Sequence, residues 1–246
     1  IYALYTRDFW FDEAFTYHVA KLPLNQLLGA VLTDNNPPLY YLIIHYILKV
    51  SNSEILIRLP SLVFNLGILY FLFKIIHDYI NRKAGLIATS LFALSPLAIY
   101  LSSTARLHSL AAFFVIIQIW LFFKLIKNLN LKNVILFILA GILGMYSQYY
   151  FALLFLPFTW IVMRKKTRVS FRYWTVILFT IGIMFSPWIF LSFWSIHNGC
   201  SCPNTLLALP AALASPILGG IGEVTLRSFP NLSFYYIIFF LTSWLF

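Results

Sequence analysis

The chain has 246 residues, 61% hydrophobic and only 10% charged, with 25 Phe, 15 Tyr and 7 Trp. A soluble domain carries about 25% charged residues, so this composition excludes a water-soluble globular protein and equally a disordered, collagenous, coiled-coil or disulfide-stapled secreted chain. The net charge of +10, from 17 basic and 7 acidic residues, would point to nucleic acid in a soluble chain and needs another explanation in a membrane.

A bilayer span needs about 20 mostly apolar residues. Ile1–Tyr5 reads as the tail of a first helix, and no signal-peptide pattern opens the chain. Residues 6–53 then form a first outer loop. The apolar runs that follow predict spans over Leu59–Phe73, Ala84–Leu101, Leu107–Phe123, Asn133–Ser147, Tyr149–Met163 and Tyr173–Trp194, so that 54–194 holds about six spans. Residues 195–233 make a large outer loop and 234–246 the start of a further span. With apolar runs at both ends, 1–246 is expected to be a single transmembrane domain cut from a longer polytopic protein.

Pro37–Val50 is apolar but short and opens with two prolines, which suits a helix lying at the interface. Counting it as a span would put three basic clusters outside, against the positive-inside rule. With it on the surface, eleven bases and one acid, Asp78, fall inside, while six bases and six acids fall outside. The whole net charge is then a topology signal, and no nucleic-acid partner is needed.

The spans lack Asp, Glu, Lys, Arg and His between Arg58 and Lys74, within Ala84–Leu101 and between Asn133 and Met163. Ion-coupled transporters place such residues at mid-bilayer, so the alternative of a transporter or lipid flippase is disfavoured, although Pro96, Pro157 and Pro187 allow broken helices. Chemistry is expected at the outer edge. Asp12 and Glu13, beside Phe9, Trp10 and Phe11, read either as a general base with a second acid that tunes or orients it, or as acids stabilised at a helix N-terminus. Both readings can hold together. Asp34-Asn35-Asn36-Pro37-Pro38-Leu39-Tyr40-Tyr41 reads as a turn feeding the interfacial helix, with the tyrosines at headgroup depth and Asn36, Tyr40 and Tyr41 also candidate substrate contacts. Arg58 is either a snorkelling anchor or a cation for an anionic ligand. Arg106 and His108 follow a tight outer turn and face the same aqueous region as Asp12, where an arginine stabilises a departing phosphate bidentately. Arg227 is a further candidate cation. Cys200 and Cys202 are read as thiols or a loop staple, since a bridge across one residue is strained and a metal site wants more ligands.

The order Asp12-Glu13, Pro37-Pro38-Leu39-Tyr40-Tyr41, Arg58-Leu59-Pro60-Ser61, then Ser95-Pro96 with Tyr100 and Ala105-Arg106, resembles the GT-C superfamily of integral-membrane glycosyltransferases. It is most similar to the branch of dolichyl-phosphate-mannose protein mannosyltransferases, aminoarabinose transferases and lipopolysaccharide-core galacturonosyltransferase-like proteins, and Gly144–Ala152 also resembles that group. The resemblance implies an all-α polytopic helical bundle with two juxtamembrane helices in the first outer loop. It implies a polyprenyl-phosphate sugar as donor, a glycan, lipid or protein acceptor, and inversion at the anomeric carbon. By analogy Asp12 is the catalytic base or an acid that orients the acceptor, with Glu13 its partner, and Arg106, then Arg58 or Arg227, receives the donor phosphate. Some relatives carry a further acid in the second outer loop, where this chain offers Arg106 and His108 instead. A divalent metal is therefore not supported, and no cofactor is assigned. The expected setting is the plasma (cytoplasmic) membrane, crossed several times, with the active site on its outer face.

Overall fold

A computed structural model describes residues 11–197 except 33, 35, 165, 166 and 168, with side chains to residue 193. Residues 195–197, expected to open the outer loop, instead end the last described helix, while the rest of that loop (198–233) with Cys200, Cys202 and Arg227, and the run 234–246, lie outside the described residues, as do Ile1–Tyr5, Phe9 and Trp10. The described residues form helices and no strands. Three short helices come first: α1 (Phe11–Lys21), α2 (Leu24–Leu32) and α3 (Leu39–Leu48). At 1.5 Å per residue each extends about 15 Å, half of the roughly 30 Å hydrocarbon thickness. The run after Pro37-Pro38 is thus too short to cross, as its length implied.

The longer elements are α4 (Glu54–Tyr79), α5 (Arg82–Ala93), α6 (Pro96–Ser103), α7 (His108–Lys127), α8 (Leu131–Ser147), a 3₁₀ helix (Tyr149–Leu154), α9 (Phe155–Arg164) and α10 (Phe171–His197). Helices α4, α7 and the Phe171–Phe193 part of α10 are long and apolar enough to cross a membrane, and the bent pair α5–α6 makes a fourth if counted as one span. Large apolar side chains stay exposed along them, among them Leu86, Ile87, Leu91, Phe179 and Phe190. In water that would be unstable; in lipid it is the outward surface of a membrane protein.

The run expected as one span over Ala84–Leu101 is broken. Helix α5 stops at Ala93 and α6 leaves at 61°. Pro96 lacks an N–H and its ring disfavours helical geometry at Ser95. Ser95 is extended and its Oγ accepts from the amide of Ala98 at 3.1 Å while donating to the carbonyl of Phe92 at 2.8 Å. Asn65, buried in α4, donates through Nδ2 to the carbonyl of Ala98 at 2.9 Å, tying the elbow to its neighbour. A similar joint lies before Pro157, where the 3₁₀ turn and α9 replace the single helix expected over Tyr149–Met163.

The bundle core is aromatic. Phe122 of α7 stacks on Phe158 of α9 at 4.1 Å and 9°, and Phe137 of α8 and Trp174 of α10 pack against them. Helix direction alternates, so one end gathers α1–α3, the start of α4 and the α6–α7 turn, while the other gathers bases that lie over rings. Lys124 Nζ sits 3.8 Å from the Trp120 ring centroid and Lys127 Nζ 4.0 Å from that of Tyr79. At the first end α8 comes close to the 3₁₀ turn, because Gly144 leaves room for the Phe151 ring where a Cβ would collide. Gly144→Val should destabilise the bundle by about 1–3 kcal/mol through overpacking, read as a lowered thermal midpoint of the detergent-solubilised protein, whereas Gly182→Ala on α10, with open space around it, should leave the midpoint in place.

Candidate functional site

Asp12 and Glu13 occupy the first turn of α1, where the helix dipole favours negative charge. Being adjacent, they point about 100° apart around the helix, and each meets a different partner. Glu13 turns inward and is 3% exposed. Its Oε1 accepts from Arg58 Nε at 3.1 Å and from the backbone amide of Ala105 at 2.7 Å, and its Oε2 accepts from Arg58 Nη2 at 3.1 Å. This is the parallel fork that a guanidinium makes with a carboxylate. Arg58 itself is 1% exposed, and its Nη1 stands 4.0 Å from Glu54 at the helix start.

Asp12 instead faces out, its side chain 43% exposed, and its Oδ2 lies 3.3 Å from Arg106 Nη2. Two neighbours on α1 thus hold two neighbours on the α6–α7 turn: Glu13 the amide of Ala105, Asp12 the guanidinium of Arg106. Arg106 is 17% exposed and its Nε is buried with no hydrogen-bond acceptor among the described residues. A buried charged donor without an acceptor is costly, and an incoming anion would satisfy it. His108 begins α7 exposed, within electrostatic reach of Arg106 and Asp12.

Helix α3 closes the site from the other side. His45 Nδ1 donates to the carbonyl of Ala20 at 2.8 Å, fixing α3 to the end of α1. Tyr40 Oη and Ser61 Oγ bond at 3.1 Å, fixing it to α4. Tyr40 is buried, which raises its phenol well above the ordinary range. Tyr41 is also buried and donates to Asp34 Oδ2 at 2.5 Å. Burial, then the Asp34 carboxylate, push its hydroxyl far up, so it remains a donor. Asn36 Nδ2 donates to the same Asp34 oxygen at 3.1 Å. Helix α10 joins through Phe185 and Trp188, which pack in one cluster with Tyr41 and with Leu27 and Val31 of α2. Trp188 Nε1 donates to Tyr149 Oη at 2.9 Å.

Of the residues picked out from the sequence, Asp12, Glu13, Arg58, Arg106, His108, Tyr40, Tyr41 and Asn36 all lie at this end, and Arg227 lies outside the described residues. Their environments differ from the expectation in one respect. The partner of Glu13 is Arg58 and a backbone amide, not Asp12, and Arg58 is enclosed by that pairing rather than facing an open surface. Sequence reasoning took Asp34 only as part of the turn before α3 and gave it no role in the site. Its signal was a carboxylate two residues before Asn36 and seven before Tyr41, a spacing that lets a turn return the helix onto it. Gln148, whose buried Oε1 has no donor, also went unnoticed because it ends an apolar run. No group of three or more His, Cys, Asp and Glu side chains converges among the described residues.

A match to a protein family, over more than half of the chain, shows what class of membrane protein this bundle is: a membrane glycosyltransferase of the GT-C superfamily. The family model described as dolichyl-phosphate-mannose-protein mannosyltransferase matches residues 35–191, more than half of the chain, and the chain belongs to that family. The match includes Asn36, Tyr40, Tyr41, Arg58, Arg106 and His108, whereas α1 with Asp12 and Glu13 precedes it. No curated protein and no solved structure matches the chain.

Removing one partner of a buried ion pair leaves the other charge uncompensated, at a cost of about 3–5 kcal/mol. Glu13→Ala and Arg58→Ala should each lower the thermal midpoint strongly. The double variant should lose less than the sum of the two, which a double-mutant cycle on the purified protein measures. Arg58→Lys should not restore stability, because an ammonium cannot make the parallel fork.

Proposed function

We propose that the protein transfers a sugar from a polyprenyl-phosphate donor to a hydroxyl of a glycan, lipid or protein acceptor, with inversion, at the outer face of the plasma membrane. The observation that carries this reading is the Asp12–Arg106 pair: a half-exposed carboxylate 3.3 Å from an arginine whose buried Nε has no acceptor among the described residues. Membership of the mannosyltransferase family supports the donor class, and the basic residues gathered over aromatic rings at the opposite end support a cytoplasmic setting for that end.

In the proposed reaction Asp12 accepts the proton of the acceptor hydroxyl as its oxygen bonds to the anomeric carbon. The bond from that carbon to the phosphate oxygen breaks, the electron pair leaves with the lipid phosphate, and the sugar passes through oxocarbenium character. Arg106 takes the growing charge on the leaving phosphate, and its hydrogen bonds strengthen as the bond breaks. Glu13 and Arg58 act as positioning residues: they hold the amide of Ala105, and with it the backbone that carries Arg106. His108 is the further group proposed to contact the phosphate or the acceptor. One displacement at one face gives a product of inverted configuration.

The reading is tested by incubating membranes that carry the protein with a panel of polyprenyl-phosphate sugars and measuring release of lipid phosphate. Asp12→Asn should lower transfer by about 10²–10⁴-fold, the usual contribution of a general base, while the protein still inserts and keeps its thermal midpoint. Arg106→Gln should lower kcat by about 10²–10³-fold, as loss of a charge-stabilising donor does. Retained transfer in Asp12→Asn, or a product of retained configuration by NMR, would sink the mechanism.

A further inference from the structure

Asp34 is engaged in a way that Tyr41 alone does not explain. Both bonds it receives, from Tyr41 Oη at 2.5 Å and Asn36 Nδ2 at 3.1 Å, fall on Oδ2. Among the described residues Oδ1 receives none, although the residue is half-buried. Two donors on one oxygen fix the plane of the carboxylate and leave the second oxygen as a preoriented acceptor. The fixing is firm because Tyr41 is itself buried among α2, α3 and α10.

The surroundings suit a saccharide. Phe15 meets Tyr41 edge-on, with ring centroids 6.4 Å apart, and keeps 40% of its surface exposed. It lies one turn along α1 from Asp12, on a neighbouring face. Phe11, one turn earlier, is 81% exposed. Tyr41 is also within electrostatic reach of Arg106. The exposed aromatic ring and the fixed carboxylate therefore meet at Tyr41, at the same end of the bundle as the proposed phosphate cation. A sugar joined to a phosphate needs that combination: a ring face for its C–H groups, an anionic acceptor for its hydroxyls and a cation for the phosphate.

We propose that Asp34 is a specificity-determining residue whose free Oδ1 accepts a hydrogen bond from a hydroxyl of the donor sugar, with Phe15 against the sugar ring. This rests on the glycosyl-transfer reading above, and its contribution is the sugar end of the site rather than the reacting centre. Tyr41 and Asn36 are positioning residues that act through Asp34. A charged acceptor discriminates sharply against a ligand that lacks the matching donor, because the carboxylate is then left desolvated and unpaired.

The test uses membranes carrying the full chain, a polyprenyl-phosphate sugar that the wild type consumes, and its monodeoxy analogues. For the wild type, kcat/KM should fall about ten- to a hundredfold with one of the analogues. Asp34→Ala should lower kcat/KM on the parent donor by a similar factor, mainly through KM, and should use the parent and that analogue equally well. A merely structural role for Asp34 would lower activity on all donors alike and leave the discrimination intact, which overturns the inference. Should Asp34→Ala fail to accumulate, Asp34→Asn keeps an acceptor for Tyr41 and should still reduce the discrimination about tenfold; an unchanged ratio overturns the inference as well. Discrimination that shifts among deoxy acceptors and not among deoxy donors overturns the assignment to the donor. If the wild type consumes no polyprenyl-phosphate sugar, the glycosyl-transfer reading fails and this inference with it, whereas consumption with an unaffected Asp34→Ala variant removes this inference alone.

Discussion

The organisation of the site depends on one buried carboxylate. Glu13 receives two hydrogen bonds from Arg58 and one from the amide of Ala105, so a single side chain connects α1, α4 and the α6–α7 turn. Desolvating a carboxylate and a guanidinium is expensive, and the expense is offset only when the geometry is good and the remaining lone pairs are filled. Here the fork is parallel, and the amide of Ala105 adds a second donor to Oε1, which already accepts from Arg58 Nε. Such pairing contributes more to uniqueness of arrangement than to net stability. It admits one relative placement of three elements that are 45 and 92 residues apart in the chain, and that placement brings Asp12 to Arg106.

The two ends of the bundle handle charge by different means. At the site end, carboxylates and guanidiniums compensate one another within a few ångströms. At the other end, lysines lie over Trp120 and Tyr79, where ring faces and nearby headgroup water make up for the scarcity of acids. The helices between need no charges at all. Their few polar links are internal, such as Asn65 to the carbonyl of Ala98 and Gln118 Nε2 to that of Phe137 at 3.2 Å. Hydrogen bonds of this kind align neighbouring helices where lipid supplies no hydrophobic force between them.

Much of the architecture is legible in the residues because membrane insertion leaves few options. Apolar runs such as Leu107–Phe123 and Tyr173–Trp194 had to be helices, and the shortness of the run after Pro37-Pro38 ruled out a crossing. The elbow at Ser95-Pro96 was harder to see: averaged over a span-length window, Ala84–Leu101 looks continuous, and one proline with a capping serine decides the break. That acids and arginines gather at one end was legible too, since such residues are rare enough here for their clustering to stand out. Their pairing was not. Adjacent acids suggest a dyad, yet neighbouring positions on a helix diverge, and nothing in the side-chain pattern announces that Glu13 would bind a main-chain amide. Asp34 was obscured for a related reason. In a turn rich in Asn and Pro a carboxylate looks like local capping, and only the return of Tyr41 onto it gives it a tertiary partner.

The elbow itself has a wider meaning. Helix α6 is eight residues long, too short to persist alone in water, yet it is held by a serine cap at its start, a side-chain amide from α4 along its length and a carboxylate just past its end. A segment secured at three points behaves as a splint rather than a hinge. The arginine that follows it inherits that rigidity, so in the proposed reaction the phosphate would meet a guanidinium whose anchoring backbone is already set. The reorganisation left to binding is confined to one side chain. The proline that interrupts the transmembrane helix thus supplies preorganisation at its edge.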